Sequence, residues 1–351
     1  MPALAVADAL RAEGAEVAFV GGERAEKTLV PEAGYELHPL GALRGLDRRN
    51  PLRALGAALR TVGAVMRSLR LLRRERPTAV LGAGGYIAGP VGLAAVMRRV
   101  PLVLAEADSH LGLTNRVLAP FARRVCLAFP LEGREPPRYR VTGRPVPPPA
   151  TDRAAARAHF HLGTEETCVV IFGGSLGARS INESAVDAFA GAEFRVLHVS
   201  GTRDYEQLRD RVMRPGYDLR PYLDLAEFSR ALLAADLVVA RSGGSVFEIA
   251  AHGRPALLVP YPHAAADHQT TNARWMAEHG AAVVVGDADL TGPRLAQEVA
   301  RLLGDPARLA AMGRASAALA LPHAALDVAG ELLEAAREWT PEAAPHQPAR
   351  R

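Results

Sequence analysis

The sequence predicts an α/β protein of two doubly wound domains, and three observations lead there. Its 351 residues exceed what one hydrophobic core usually organises, and divide naturally into two domains. Apolar runs of four to eight residues alternate with helical stretches along most of the chain, the pattern of parallel sheets built from strand-helix-strand units. Between the halves lies VTGRPVPPPA, residues 141–150, whose prolines stiffen the chain and exclude a helix or central strand. A composition of 49% hydrophobic and 23% charged residues argues against wholesale disorder and against a polytopic membrane protein.

The chain opens on Pro2 and ALAVADALRAEG, which reads as a helix with proline in its first turn and Gly14 at its end. A doubly wound domain normally opens instead on a strand and a Gly-rich turn. Strands are predicted at 16–22, 78–85, 101–108 and 124–130 in the first half. In the second half they fall at 167–174, 194–201, 236–244, 255–262 and 281–287. The domains are predicted as 1–145 and 146–338, with the last helix packing back toward the first domain. A disordered tail, rich in Pro, Ala and charge, follows over 339–351. The longest weakly polar run, Ala88 to Met97, is half the ~20 residues of a membrane span and contains Gly89, Pro90 and Gly92, so no transmembrane helix is predicted. No export signal is visible at the amino terminus, and the cytoplasm is the expected compartment. Cys126 and Cys168 form no disulfide framework and read as small core residues.

Several strands run into glycines. In FGGSLGARSIN, residues 172–182, a buried strand ends in Gly173-Gly174-Ser175-Leu176-Gly177 and a helix follows. Glycines let backbone approach a ligand, and free N–H groups with a positive dipole end suit a diphosphate. The motif is neither the GxGxxG fingerprint nor a P-loop, and a tight turn without ligand is the other reading. ARSGGSVFEIAAHG, residues 240–253, repeats the architecture, with Glu248 either a dipole partner of the helix start or an acceptor for ribose hydroxyls. The polar stretch PYPHAAADHQTTNA, which ends at Ala273, reads as a loop carrying His263, Asp267, His268, Gln269 and Asn272. Sugar hydroxyls suit it better than a metal, because no third or fourth ligand stands at a familiar spacing. GAGGYIAGP (82–90) and AEADSHLGLTN (105–115) also follow strands, so they lie at the carboxyl edge where ligands bind in such folds. There Asp108 and Asn115 are candidate hydrogen-bonding residues, with turn and cap chemistry as the equal alternative. Two Gly-loop domains joined by a proline hinge imply a cleft.

The net charge of +4 conceals a segregation. From Gly41 to Arg76 there are ten arginines against Asp47 and Glu75, a local charge of +8, so the rest of the chain carries −4. Arg53, Arg60, Arg67 and Arg74 are seven apart and form one stripe on a helix, joined by Arg70. Leu52, Leu55, Leu59, Val62, Met66 and Leu69 supply the apolar face beside it. Such a helix suits an anionic membrane surface, a solvated face being the alternative. Nucleic acid is not an expected partner, since no recognition module is present.

At these residues the sequence resembles the MurG family of bacterial glycosyltransferases. PALAVADAL (2–10), VLGAGGYIAGPVGLAA (80–95), LAEADSHLGLTNRVLA (104–119), VTGRPV, FGGSLGARSIN, YLDLAEFSRALLAADLVVARSGG (222–244) and PYPHAAADHQTTNA carry the resemblance, in the family's order. It implies a GT-B architecture of two Rossmann-like domains facing a cleft, with acceptor mainly on the first and UDP-GlcNAc mainly on the second. The implied reaction moves GlcNAc to the 4-hydroxyl of MurNAc-pentapeptide on undecaprenyl diphosphate, lipid I to lipid II, with inversion and without an obligatory metal or cofactor. Carried over by motif, Ser175, Gly243, Gly244 and Ser245 contact the donor. Glu248 takes the ribose, Gln269 the GlcNAc hydroxyls, and the backbone of Leu223 the uracil. Asp108 falls where the family usually has Asn near the donor sugar, and the basic helix matches a membrane-facing patch. The implied partners are UDP-GlcNAc, lipid I, the anionic inner leaflet of the plasma membrane and other cell-wall synthesis proteins.

The departures are specific. The family's opening strand and GGTGGH loop would lie immediately before Pro2, and the His of that loop is its favoured base or close to it, so no catalytic base is assigned. Ala105 replaces a His before Glu106, Arg144 replaces Asn, Pro147 stands where the family has Arg, and the RSGGSVFE loop is one residue short. A GT-B transferase for another lipid acceptor, or a non-catalytic nucleotide-sugar-binding protein, are the competing readings.

Overall fold

A computed structural model describes residues 2–23, 26–41, 51–174, 177–212 and 214–339, with the side chains of 51–59 and 265 left aside. The chain divides into two compact units, Met1–Pro145 with His323–Arg351, and Val146–Pro322.

In the first unit, α1 (Pro2–Ala12), β1 (Ala18–Gly21), α2 (Glu26–Glu32) and β2 (Glu36–Pro39) precede α3 (Pro51–Glu75). There follow β3 (Val80–Gly82), α4 (Gly85–Met97), β4 (Leu102–Glu106), α5 (Leu113–Leu118), β5 (Arg124–Leu127) and β6 (Tyr139–Val141). Gly14 ends α1 with φ +81°, the left-handed geometry expected of a glycine past a helix end. Strands β3, β4, β5 and β6 form a parallel sheet in that order, while β1 pairs in parallel with β2 as a separate ribbon. Helix α4 packs on both β1 and β3. Its glycines allow close packing: a Cβ on Gly92 would stand 2.5 Å from Leu118 Cδ1. Leu72, Val91, Ala94, Leu104 and Leu127 belong to the core of this unit.

The second unit holds α6 (Arg153–His159), β7 (Cys168–Phe172), α7 (Arg179–Phe189), β8 (Arg195–Val199), α8 (Tyr205–Arg209), β9 (Tyr217–Arg220) and α9 (Leu225–Ala234). It continues with β10 (Leu237–Ala240), α10 (Ser245–Ala251), β11 (Ala256–Leu258), α11 (His268–Glu278), β12 (Ala282–Val284), α12 (Gly292–Leu303) and α13 (Pro306–Ala318). Its six strands are all parallel in the order β12-β11-β10-β7-β8-β9. The chain winds outward from β7 through β8 to β9, then returns to the other side of β7 with β10. The topological switch point therefore lies between β7 and β10. Strand β7 is buried throughout, as a central parallel strand covered on both faces must be.

Helix α14 (Ala324–Arg337) packs on α1 and β4 and so belongs to the first unit. Trp339, assigned from sequence to the disordered tail, instead packs against the core of that unit; the rest of that tail lies outside the described residues. Both cysteines are buried, and burial pushes each thiol up to about 12. Among the described residues no helix is long and apolar enough to cross a membrane.

Candidate functional site

In a doubly wound sheet, ligands bind beyond the carboxyl ends of the strands at the switch point. The two segments leaving β7 and β10 are the glycine-rich loops. Helix α7 begins after Ala178, whose extended backbone brings no side chain to cap the helix. The first N–H groups of an eleven-residue helix are thus left for a partner, the arrangement that favours an anion. Ser175 and Leu176 lie outside the described residues. Gly177 is fixed by the fold, since it has φ +75° and a Cβ there would stand 2.0 Å from the Ser200 carbonyl oxygen.

Across the switch point, Gly243 and Gly244 lead into α10, which starts at Ser245. A Cβ on Gly243 would meet only Gln269 Nε2, at 3.7 Å, an ordinary contact. The stretch ending at Ala273, read from sequence as a loop throughout, is helical from His268 onward. Asp267 precedes α11, its carboxylate accepting from Thr270 Oγ1 at 2.6 Å. Gln269 therefore sits in the first turn of α11. Its Oε1 accepts from Tyr261 N at 3.0 Å, and its carbonyl accepts from Ser242 Oγ at 2.7 Å. Asn272, one turn on and buried, donates to the Ser242 carbonyl at 3.0 Å, so it is a structural tie and not a ligand group. Gly243, Gly244, Ser245 and Gln269 are thereby brought together. Among the described residues no cluster of three His, Cys, Asp or Glu is placed to hold a metal ion.

Glu248 lies elsewhere on α10. It lines a small pocket with Val146, Pro147, Leu225, Phe228 and His252. Leu223 immediately precedes Asp224, the N-cap of α9, whose start is fixed by a capping box between Asp224 and Glu227. Leu223 is buried, which leaves its backbone as the polar part available. His252 donates from Nδ1 to the Glu248 carbonyl at 2.7 Å and accepts at Nε2 from Ser229, while burial lowers its pKa and keeps it neutral.

In the first unit, Asp108 lies beyond β4 in a loop organised by Glu106. This buried carboxylate accepts from Asp108 N at 3.2 Å, Gly112 N at 2.8 Å and Asn115 Nδ2 at 2.9 Å. Asn115 is used internally, donating also to the Ala105 carbonyl. Glu106 was not singled out from sequence. A lone acid at the end of a buried strand, facing a turn rich in N–H groups, was the available signal.

A second unforeseen feature backs the α7 loop. Tyr217 donates to Nδ1 of His198 at 2.8 Å, and His198 Nε2 donates to Asn182 Oδ1 at 3.0 Å. Asn182 Nδ2 donates to the Ser200 carbonyl at 2.9 Å and to Asp204 at 3.0 Å. Arg203, hydrogen-bonded to Asp204, is the leading cause holding that carboxyl below its ordinary pKa. His198 is fully buried, and desolvation lowers its pKa to about 3. The folded imidazole thus stays neutral while the unfolded one protonates below about 6.5, so stability falls as pH drops from there toward 3. The expected slope is up to about 1.4 kcal/mol per pH unit from this group. Urea titrations at pH 7 and pH 5 check it: His198→Gln should flatten the difference, and an unchanged slope contradicts the assignment.

The basic helix α3 spans Pro51–Glu75. Arg60, Arg67, Arg70 and Arg74 are exposed along it, with Arg67 donating to the Leu40 carbonyl and Arg74 pairing with Glu75. Arg53 lies in the same helix, its side chain outside the described residues. Beside α3 packs α4, and beside α4 packs α5. Val62 and Met66 on α3, Tyr86, Leu93 and Met97 on α4, and Leu113 and Val117 on α5 all leave large apolar side chains exposed, as does Phe121 just beyond.

Comparison with known proteins places both units. Residues 1–127 match the glycosyltransferase family 28 N-terminal domain, and residues 168–328 match the glycosyltransferase family 28 C-terminal domain. A protein of Moorella thermoacetica named UDP-N-acetylglucosamine--N-acetylmuramyl-(pentapeptide) pyrophosphoryl-undecaprenol N-acetylglucosamine transferase is 42% identical over 342 residues, 92% of each chain. One of the same name from Desulforudis audaxviator is 40% identical over 357 residues, covering 95% of this chain and 94% of its own. Among solved structures, MurG of Acinetobacter baumannii superposes with a TM-score of 0.75 at 28% identity over 95% of each chain. The UDP-GlcNAc 2-epimerase of Neisseria meningitidis, solved with UDP-GlcNAc bound, shares the fold at 13% identity with a TM-score of 0.66.

Proposed function

From the premise that this chain belongs to glycosyltransferase family 28 and has its two-domain GT-B fold, we propose which of its residues hold the donor and how it meets the membrane. The chain is an N-acetylglucosaminyltransferase of peptidoglycan synthesis, transferring GlcNAc from UDP-GlcNAc to lipid I to form lipid II.

The observation that carries the donor assignment is the pair of glycine loops flanking the switch point of the six-stranded sheet. The uncapped start of α7, with Ser175 in the loop before it, receives the diphosphate of UDP-GlcNAc. Gly243, Gly244 and Ser245 close the opposite side. Gln269 binds the GlcNAc hydroxyls, Glu248 the ribose, and the Leu223 backbone the uracil. Dipoles and N–H groups aimed at the diphosphate stabilise the charge that develops as UDP leaves, and the 4-hydroxyl attacks with inversion. In the first unit, Asp108, held by Glu106 beyond the carboxyl end of β4, is the residue assigned to substrate contact. The test is a transfer assay with UDP-GlcNAc and lipid I, run beside a diacylglycerol acceptor. Lipid II formed with lipid I alone supports the reading, and turnover of diacylglycerol instead would redirect it to another lipid acceptor.

The chain works at the inner face of the plasma membrane as a peripheral protein. Exposed apolar side chains on α3, α4 and α5 lie beside the exposed arginines of α3, the combination that pairs hydrophobic insertion with anionic headgroups. At about 1 kcal/mol per basic residue, reversing Arg60, Arg70 and Arg73 to Glu should weaken binding to phosphatidylglycerol-containing vesicles by at least about a hundredfold. Equal co-sedimentation of variant and parent would reject this surface.

A further inference from the structure

The donor loops are joined by a largely buried ion pair that no motif announces, in which the Asp287 side chain keeps 21% exposure. Arg241, at the exit of β10, is only 8% exposed. Its Nη1 pairs with Asp287 Oδ1 at 2.6 Å and donates to the carbonyls of Val259 and Pro260, each at 3.1 Å. Its Nη2 donates to Ser180 Oγ at 2.8 Å, and the Ser180 hydroxyl donates to the same Asp287 oxygen at 2.6 Å. Four segments meet in this cluster: the first turn of α7, the exit of β10, the exit of β11 and the turn after β12. A buried ion pair is a poor stabiliser, because desolvation offsets much of the attraction, so its placement here points to geometry. Asp287 also neutralises Arg241, which makes the guanidinium a fork holding four acceptors and not a free charge for the diphosphate.

We propose that Asp287 and Ser180 are positioning residues which, through Arg241, set the spacing of the two glycine loops and of Gln269 for the nucleotide-sugar donor. Arg241 ties α7, which follows the first loop, directly to the start of the second. By holding the Val259 and Pro260 carbonyls it also fixes the segment whose next residue, Tyr261, donates to Gln269. The inference rests on the donor assignment above.

Steady-state kinetics of Asp287→Asn and Ser180→Ala, with melting temperature measured alongside, test it. The charge is lost in the first with shape kept, and one hydroxyl in the second. KM for UDP-GlcNAc should rise about tenfold in Asp287→Asn and about threefold in Ser180→Ala, one cluster hydrogen bond being worth that order. KM for lipid I should stay within about twofold, and the double variant should be no worse than Asp287→Asn, since both act through one group. A purely structural role would lower the melting temperature with donor KM unchanged and overturns the proposal. A lower donor KM in Asp287→Asn also overturns it, since freeing the arginine would then have served the diphosphate directly. If Asp287→Asn does not fold, Ser180→Ala decides alone by the same KM comparison. Gln269→Ala run in parallel separates the two readings. A raised donor KM there with Asp287→Asn unchanged defeats the positioning role only, whereas no change in either defeats the donor assignment.

Discussion

Gln269→Ala is expected to raise KM for UDP-GlcNAc by about 10- to 100-fold, with a smaller change in kcat. That is the loss of one or two hydrogen bonds made equally in the ground and transition states. Among the described residues the parent side chain spends only its Oε1 on the protein, and that partner, Tyr261 N, lies at the exposed edge of the loop where water replaces the lost acceptor. The amide nitrogen is turned toward Gly243. The fold therefore loses little, and melting temperature should shift by no more than a few degrees. Isothermal titration with UDP-GlcNAc and with UDP alone locates the contact. Affinity for UDP should be nearly unchanged if Gln269 holds the sugar, and a matching loss for UDP would move its role to the nucleotide.

Gly177→Ala is expected to fail in the opposite way, through the fold. The residue has φ +75°, which costs an L side chain about 1–2 kcal/mol. The added methyl would meet the Ser200 carbonyl oxygen at 2.0 Å, a backbone atom that cannot swing aside. That carbonyl is itself held by Asn182. Forcing α7 away from β8 would also strain the His198–Asn182–Asp204 chain, and overpacking of this kind costs a further 1–3 kcal/mol, so a total loss of about 3 kcal/mol is expected. Urea denaturation measures it; a variant within about 0.5 kcal/mol of the parent would show that the loop is not held as described.

Each of the nine strands expected from sequence is present, and each lies in an apolar run. Strands β2, β6 and β9 were not anticipated. They are ELHP, YRV and YDLR, and each sits at the rim of its sheet, where one flank has no neighbour and side chains are only partly buried. Polar or charged residues interrupt each of them, so hydrophobic patterning does not announce these strands, whereas the equally marginal β1 and β12 are unbroken apolar runs. The helical start at His268 is hidden for another reason: HQTTNARWMAE has no strong apolar stripe, and Asp267, the residue type that usually caps a helix, is left-handed here and does not cap. The nine strands, the prolines where the two units meet in the chain, the two glycine loops and the basic helix were legible, because each depends on residue type at short spacing.

The class of fold and the carboxyl-edge location of the glycine loops follow from the sequence alone. These are local properties: a strand period, a φ that favours glycine, a seven-residue repeat of charge. The pairing of β7 with β10, by which two loops separated by some seventy residues flank one switch point, is visible only in the folded chain. Folding alone brought Ser180, Arg241 and Asp287 into one cluster, and turned Asn115, Asn272 and Glu106 inward to hold loops. The physical reason is that a hydrogen bond or ion pair in the interior depends on distance through space and on exclusion of water. Strand order fixes both, whereas spacing along the chain does not.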